Sequence, residues 1–344
     1  MKNKKLRFLN GADLRRAGKP PSYLINRAIP ERGIALLVAP PSHKKSFVAM
    51  TMACSIASGT DFLGRKTKQG TVLYLAGEGN QALHKRKVAW EKFYETSIAE
   101  KNLAISNGHV VLNADDGFQE AIEAIGRYEL DYGEISLLVI DTLNRTFEGD
   151  ENNSTHVTKY VVALSQIIEQ FNCAVLLVHH PGHDGKTKTR PRGFSGLKGA
   201  VDIQMAIEKG DTDTPTLLMG VKPPKDDEPG PDLHLKTETI LLDEELGHDE
   251  NGHPISSLVI VENDDLPALT PKVRSKTMSK RNLLREHILS MDFAEPIKRE
   301  AIIDDCLKLG ITNVHETIMR AVDALINEGF IIRTNYGHYD IVRT

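Results

Sequence analysis

Cysteine, tryptophan and long apolar runs are the scarcities that first bound this 344-residue chain. Its three cysteines, Cys54, Cys173 and Cys306, lie far apart inside apolar segments. That spacing excludes a disulfide framework and a cysteine zinc site and points to a reducing compartment, the cytoplasm. The three thiols are read as small buried hydrophobes. No stretch approaches the ~18 uncharged apolar residues of a spanning helix. The basic start Met1-Lys2-Asn3-Lys4-Lys5 is followed by no apolar core, so no secretory leader is expected. An excess of positive charge is missing too: 43 Lys and Arg stand against 47 Asp and Glu, a net −4. This excludes a bulk polycation and confines any nucleic-acid contact to local patches.

What is present is a sizeable apolar fraction, 40%, in runs that alternate between strand and helix length. Residues 1–32 are polar and contain proline, and are read as a lead-in segment. From Ile34 to Val178 apolar runs of strand length (Ile34–Val38, Thr71–Ala76, Val110–Leu112, Leu137–Ile140, Ala174–Val178) alternate with helical stretches near Gln81–Glu95, Phe118–Arg127 and Thr155–Gln170. Continuous apolar strands separated by helices indicate a parallel sheet covered on both faces, a doubly wound α/β body. Four later runs, Val201–Ile207, Thr216–Val221, Leu233–Leu242 and Ser257–Val261, are separated by turn-rich segments and read as antiparallel strands added at the sheet's edge. The run Asp249-Glu250-Asn251-Gly252 reads as a hairpin turn, since it lacks the spaced oxygen ligands and closing Glu of a calcium loop.

The loop after the first strand also lacks something. Ala39-Pro40-Pro41-Ser42-His43-Lys44-Lys45-Ser46-Phe47 stands between strand and helix, where a phosphate-binding loop belongs, yet it has none of that loop's glycines. Lys45 and Ser46 fit the lysine that reaches the β/γ oxygens and the hydroxyl on Mg²⁺. Ala39 replaces the first glycine and Lys44 the second, a position that calls for positive φ at about 1–2 kcal/mol for a side-chain-bearing residue. Other strand ends supply further groups: Glu78 in Gly77-Glu78-Gly79, Asp141 in Asp141-Thr142, and His179-His180. In an open parallel sheet ligands bind along this carboxyl edge. Asp141 stands where a Walker B aspartate holds the Mg²⁺ water shell. These groups together specify a nucleotide site.

On these residues, from about Tyr23 to Thr239, the chain resembles the RecA-like ATPases of the RepA type, which include plasmid hexameric replicative helicases and replication proteins of phages and mobile elements. The matching segments are Gly33–Ser46; Val72–Gly79 with Leu83, Arg86 and Trp90; Leu138–Arg145; Asp150–Asn152 with Ser154 and Thr155; Val175–Gly182; and Arg192–Asp202. The resemblance implies a RecA-like P-loop NTPase core, mainly parallel with antiparallel edge strands, over 33–262. It implies a ring, usually a hexamer, with ATP and Mg²⁺ between subunits. By the same carry-over Lys45 and Ser46 bind phosphate and metal, Glu78 orients the attacking water, Asp141 supports the metal, and His179 or His180 links the γ-phosphate to loops that face single-stranded DNA. Lys222 and Lys225 stand where such proteins place basic fingers, or are simply solvated beside a proline turn. The loop 183–198 carries Lys186, Lys188, Arg190, Arg192 and Lys198 against Asp184 alone, a composition suited to a phosphate chain.

Residues 263–278 are read as a linker. Beyond it, over 279–344, apolar spacing gives three helices, around Leu284–Ile288, Ile302–Leu307 and Ile318–Ile326, then a hairpin from Phe330 to Val342. That is the layout of a small winged helix-turn-helix domain. Residues 275–344 balance ten basic against ten acidic side chains. Arg320, Arg333 and Tyr336 fall toward one end and are the expected contacts to duplex DNA, a protein partner being the alternative.

Overall fold

Alternation along the strands, not one-sided patterning, builds the centre of the larger unit. The computed structural model describes residues 10, 21–77, 80–181, 195–209, 215–224, 227–263, 280–291, 296–308, 315–328, 330–334 and 338–341. The chain divides into two compact units, Met1–Val273 and Arg274–Thr344, a boundary inside the stretch expected as a linker.

In the first unit a short hairpin, β1 (Tyr23–Ile25) and β2 (Ile29–Pro30), precedes β3 (Gly33–Val38), which runs through a loop into helix α1 (Lys45–Ser58). There follow β4 (Thr71–Ala76), α2 (Asn80–Phe93), β5 (Leu103–Ile105), α3 (Asp115–Tyr132), β6 (Ile135–Asp141), the single turn α4 (Leu143–Thr146), α5 (Ser154–Phe171) and β7 (Ala174–His179). Helix α6 (Ser195–Ala200), strands β8 (Ile203–Lys209), β9 (Pro215–Lys222) and β10 (Leu233–Leu241), the turn α7 (Asp243–Leu246) and β11 (Ser256–Glu262) complete it. The sheet order is β11-β10-β9-β8-β3-β7-β6-β4-β5. Strands β8 through β5 in that order are parallel, and β9, β10 and β11 continue the sheet antiparallel.

Each parallel strand sends alternate residues to opposite faces. Leu37, Val72, Tyr74, Val139, Leu176 and Val178 join α1 in one cluster. Leu36, Val38, Ile140, Val175 and Leu177 join α5 in the other. Burial on both faces is why these strands read as unbroken apolar runs. Helix α1 is buried from Val48 to Ala57 without interruption, as a helix enclosed on all sides must be. Each large side chain fully buried contributes about 1.5–3 kcal/mol.

Three expectations change. Val201–Ile207 was expected at an antiparallel edge, but β8 lies parallel to β3, with Ala35 opposite Ile203 and Val38 opposite Ala206; only its other neighbour, β9, is antiparallel. Val110–Leu112 is not a strand. Its backbone is engaged locally: Leu112 N–H donates to Thr146 O at 2.8 Å, and Val111 approaches Gly117 so closely that a Cβ there would collide with its carbonyl. The strand beside β4 is Leu103–Ile105 instead. The end of the lead-in belongs to the core, because Leu24, Ile25, Ala28 and Ile29 are buried. The expected turn at Asp249–Gly252 is present, with Asp249 Oδ1 accepting from Asn251 N and His253 N.

The second unit orders α8 (Lys280–Ser290), β12 (Ile297–Lys298), α9 (Arg299–Lys308), α10 (His315–Asn327), β13 (Ile331–Arg333) and β14 (His338–Ile341). Its sheet is antiparallel, in order β12-β14-β13, and β12 is a strand the spacing did not reveal. Leu284, Ile288, Ile302, Cys306, Ile318, Val322, Leu325 and Tyr339 form its core. Arg285 pairs with Glu328, and His287 Nε2 lies 2.8 Å from Asp305 Oδ2.

The start of α5 carries a testable device. Asn153 accepts hydrogen bonds from Thr155 N at 2.9 Å and His156 N at 3.4 Å, satisfying donors that the first helical turn leaves open. Asn153→Ala is expected to remove about 1 kcal/mol and to lower the melting temperature of the larger unit by about 2–4 °C in calorimetry. An unchanged transition would show that the cap contributes nothing.

Candidate functional site

The ladder registers set the site. Val38 lies opposite His179, Asp141 opposite Val178, and Ala76 opposite Asp141. The ends of β3, β7, β6 and β4 are therefore level at one carboxyl edge. Into that edge opens the loop from Ala39 to Lys44. Ala39 N–H donates to His179 O at 3.2 Å, tying the loop's first residue to the neighbouring strand. Pro40 and Pro41 fix φ where the expected motif has free residues. His43 N donates to Pro40 O at 3.3 Å, and the His43 ring, through Nδ1, to Pro41 O at 2.9 Å.

Two residues of this loop hold positive φ: Ser42 at 65° and Lys44 at 61°. Lys44, in the place of the second glycine, adopts that glycine's left-handed conformation and caps α1 with no side-chain hydrogen bond. The first turn of α1 contains no acidic residue. An N-terminus of this kind carries the positive end of the helix dipole and suits an anion. The donor set therefore fits a phosphate: backbone N–H groups at the start of α1, the Lys45 ammonium and the Ser46 hydroxyl, with the Asp141 carboxylate at the level edge to support a divalent cation's water shell.

Asp141 is 8% exposed. Its Oδ2 accepts a hydrogen bond of 2.7 Å from the Tyr74 hydroxyl, a buried pair. Burial first, and then the Asp141 carboxylate, push the Tyr74 phenol well above its ordinary range, so it stays protonated and donates. Arg86 of α2 places its guanidinium 4.1 Å from the centre of the Phe47 ring, and Lys44 Nζ lies 5.4 Å from the same ring. Burial holds Arg86 below its usual value, against the opposing pull of Tyr74 and Asp141. Gly77 follows β4 directly: its N–H donates to Asp141 O at 2.7 Å, and any Cβ there would strike Arg145.

The two histidines separate. His179 shares the face of Val175 and Leu177, is buried, and sets Nε2 4.0 Å from Glu151 Oε2, on the α5 side of the sheet. Asp141 and α1 are on the other side. His180 is the first residue beyond β7 and is partly buried. Lys222 is engaged within its own unit. Its ammonium donates to Lys198 O at 2.9 Å and to Val201 O, and lies 3.4 Å from Gly199 O, closing the carboxyl end of α6 where a cation is favoured.

Lys198 is exposed on α6. Arg320 is paired with Glu316 one turn earlier, and the Arg333 guanidinium lies 6.0 Å from the centre of the Tyr339 ring. Glu78, Lys225, Lys186, Lys188, Arg190, Arg192 and Tyr336 lie outside the described residues. Sequence reasoning missed Tyr74 as a site residue because a Tyr inside an apolar strand reads as core. Arg86 and Glu151 were noticed only as markers of resemblance.

The sequence pattern described as AAA domain matches residues 3–186, more than half of the chain. No curated protein matches it. Among solved structures, a KaiC-like protein from the hyperthermophilic archaeon Pyrococcus horikoshii OT3 aligns with 70% of this chain and 93% of its own, at 14% identity and a TM-score of 0.41. The sheet places β7 between the loop-bearing β3 and the aspartate-bearing β6. With the domain match running through both of those strands, the chain belongs to the AAA-domain family.

Proposed function

We propose that this protein is a ring-forming ATPase that acts on DNA, a replicative helicase or replication-initiation protein of the RepA type. The observation that carries the reading is the level carboxyl edge, which joins the open N-terminus of α1 to Asp141 across β7. ATP, with Mg²⁺, supplies the phosphoanhydride and the charge-balancing cation. Backbone N–H groups of α1 and Lys45 hold its phosphates, Ser46 and Asp141 orient the metal's ligands, and Glu78 orients the attacking water. His179 or His180 follows the state of the γ-phosphate.

A basic finger from a neighbour falls to Lys225 in this reading, because Lys222 is committed to the end of α6. Single-stranded DNA is taken up by the loop 183–198 and Lys198. The second unit is read as a winged helix: α9 and α10 supply the helix pair, and β13–β14 the wing that carries Arg333. Duplex DNA or a replication protein is its partner. A second reading, an ATP-dependent DNA-binding switch that loads or regulates without unwinding, shares every one of these residues and differs in coupled translocation alone.

Hydrolysis in steady-state phosphate release should rise with single-stranded DNA and vanish in Lys45→Ala; no turnover above that variant in either condition would remove the enzyme reading. A strand-displacement assay on forked substrates separates motor from switch. Deleting residues 275–344 should leave basal hydrolysis intact, and its loss would make the second unit part of the motor.

Lys44→Gly tests the loop. Glycine adopts φ near 61° without strain, so the fold should persist. Loss of one cation beside the phosphates should weaken ATP binding by about two- to fivefold, on the order of 0.5–1 kcal/mol. Tighter binding in fluorescence titration would instead mark Lys44 as a cost.

A further inference from the structure

We infer that Tyr74 is a positioning residue for the metal, fixing the Asp141 carboxylate so that only part of it faces the crevice; this rests on the nucleotide site proposed above. A carboxylate offers about four lone-pair sites on two oxygens. The Tyr74 hydroxyl takes one of them on Oδ2 from within the core, which leaves Oδ1 and the outward lone pair of Oδ2 for water or metal. The bond crosses strands. Tyr74 stands two residues before Ala76, the residue opposite Asp141, so a phenol spans the gap that a shorter side chain would leave.

The bond works against a specific competitor. Arg86 is half-buried beside the same pair and acts electrostatically on both. Its guanidinium is held over the Phe47 ring, a contact of modest strength, while a carboxylate is the stronger partner for it. An Asp141 side chain free to turn would close on Arg86 and withdraw from the metal. The Tyr74 hydrogen bond, with the rigid burial of its ring at 1% exposure, prevents that rotation. Tyr74 touches neither nucleotide nor metal in this account; it acts through Asp141. Groups that orient a metal's ligands from behind commonly alter metal affinity by about 10–100-fold when removed.

The test is Tyr74→Phe, which keeps the ring and deletes the hydroxyl. Mn²⁺ binding in the presence of ADP, followed by electron paramagnetic resonance on the full chain, should weaken about tenfold. ADP affinity in excess EDTA should stay within twofold of wild type. In hydrolysis the Mg²⁺ concentration for half-maximal rate should rise by a similar factor, with the rate at saturating Mg²⁺ little changed. A purely structural hydroxyl would lower the melting temperature and leave the Mn²⁺ affinity as it was, and that result overturns the inference. Should the phenylalanine variant fail to fold, Tyr74→Met fills the site with an adaptable apolar chain and carries the same measurement. If wild type binds ADP but the variant's metal affinity is unaltered, the inference alone falls. If wild type binds neither ADP nor Mn²⁺–ADP, the nucleotide reading falls with it.

Discussion

The hydrogen-bonded register of β3, β7, β6 and β4 is the constraint on which the larger unit depends, because a parallel ladder fixes which residues end level with one another. With Val38 opposite His179 and Asp141 opposite Val178, loop, aspartate and histidines must emerge at one edge. A slip of one residue would turn every side chain to the other face, sending Asp141 toward α5 and His179 toward α1. Dense apolar packing on both faces forbids it. The chemistry of the edge is thus held by the core beneath it.

The loop after β3 shows how such an edge is built without glycine. In the P-loop motif glycines adopt positive φ freely; here Ser42 and Lys44 adopt it at about 1–2 kcal/mol for each. The surroundings compensate: two prolines restrict the loop, Ala39 is tied to His179, and Val48–Ala57 of α1 are packed on every side. Backbone geometry that the amino-acid types disfavour is imposed by burial on either side of it. A comparable constraint holds at Lys222, where carbonyls at the end of α6 and of Val201 just after it engage a cation that composition alone would leave to solvent.

How much of this was legible follows the range of the interaction. Strands β3, β4, β6 and β7 and helices α1 and α5 were readable, since their apolar periods are local and long. Asp141 could be placed at a strand end and the Lys45-Ser46 pair at the start of a helix. Strand β5 was not readable, being three residues long, and Val110–Leu112 imitated it. The direction of β8 escaped because Ile203–Lys209 has the same composition either way, and only its neighbour β3 decides. The Tyr74–Asp141 pair escaped for a similar reason: 67 residues separate them in the chain.

By itself the sequence determined a doubly wound body with a separate unit of helices and a hairpin, and a glycine-free loop feeding a buried helix. These depend on local period, turn chemistry and the order of strand ends, all of which are written along the chain. Tertiary structure alone decided that Lys44 takes the left-handed conformation, that His179 lies beside Glu151, that Lys222 closes a helix, and that a tyrosine hydrogen-bonds the aspartate. Each of those outcomes depends on which face of a strand is covered and by what, a choice made by packing between segments far apart in sequence.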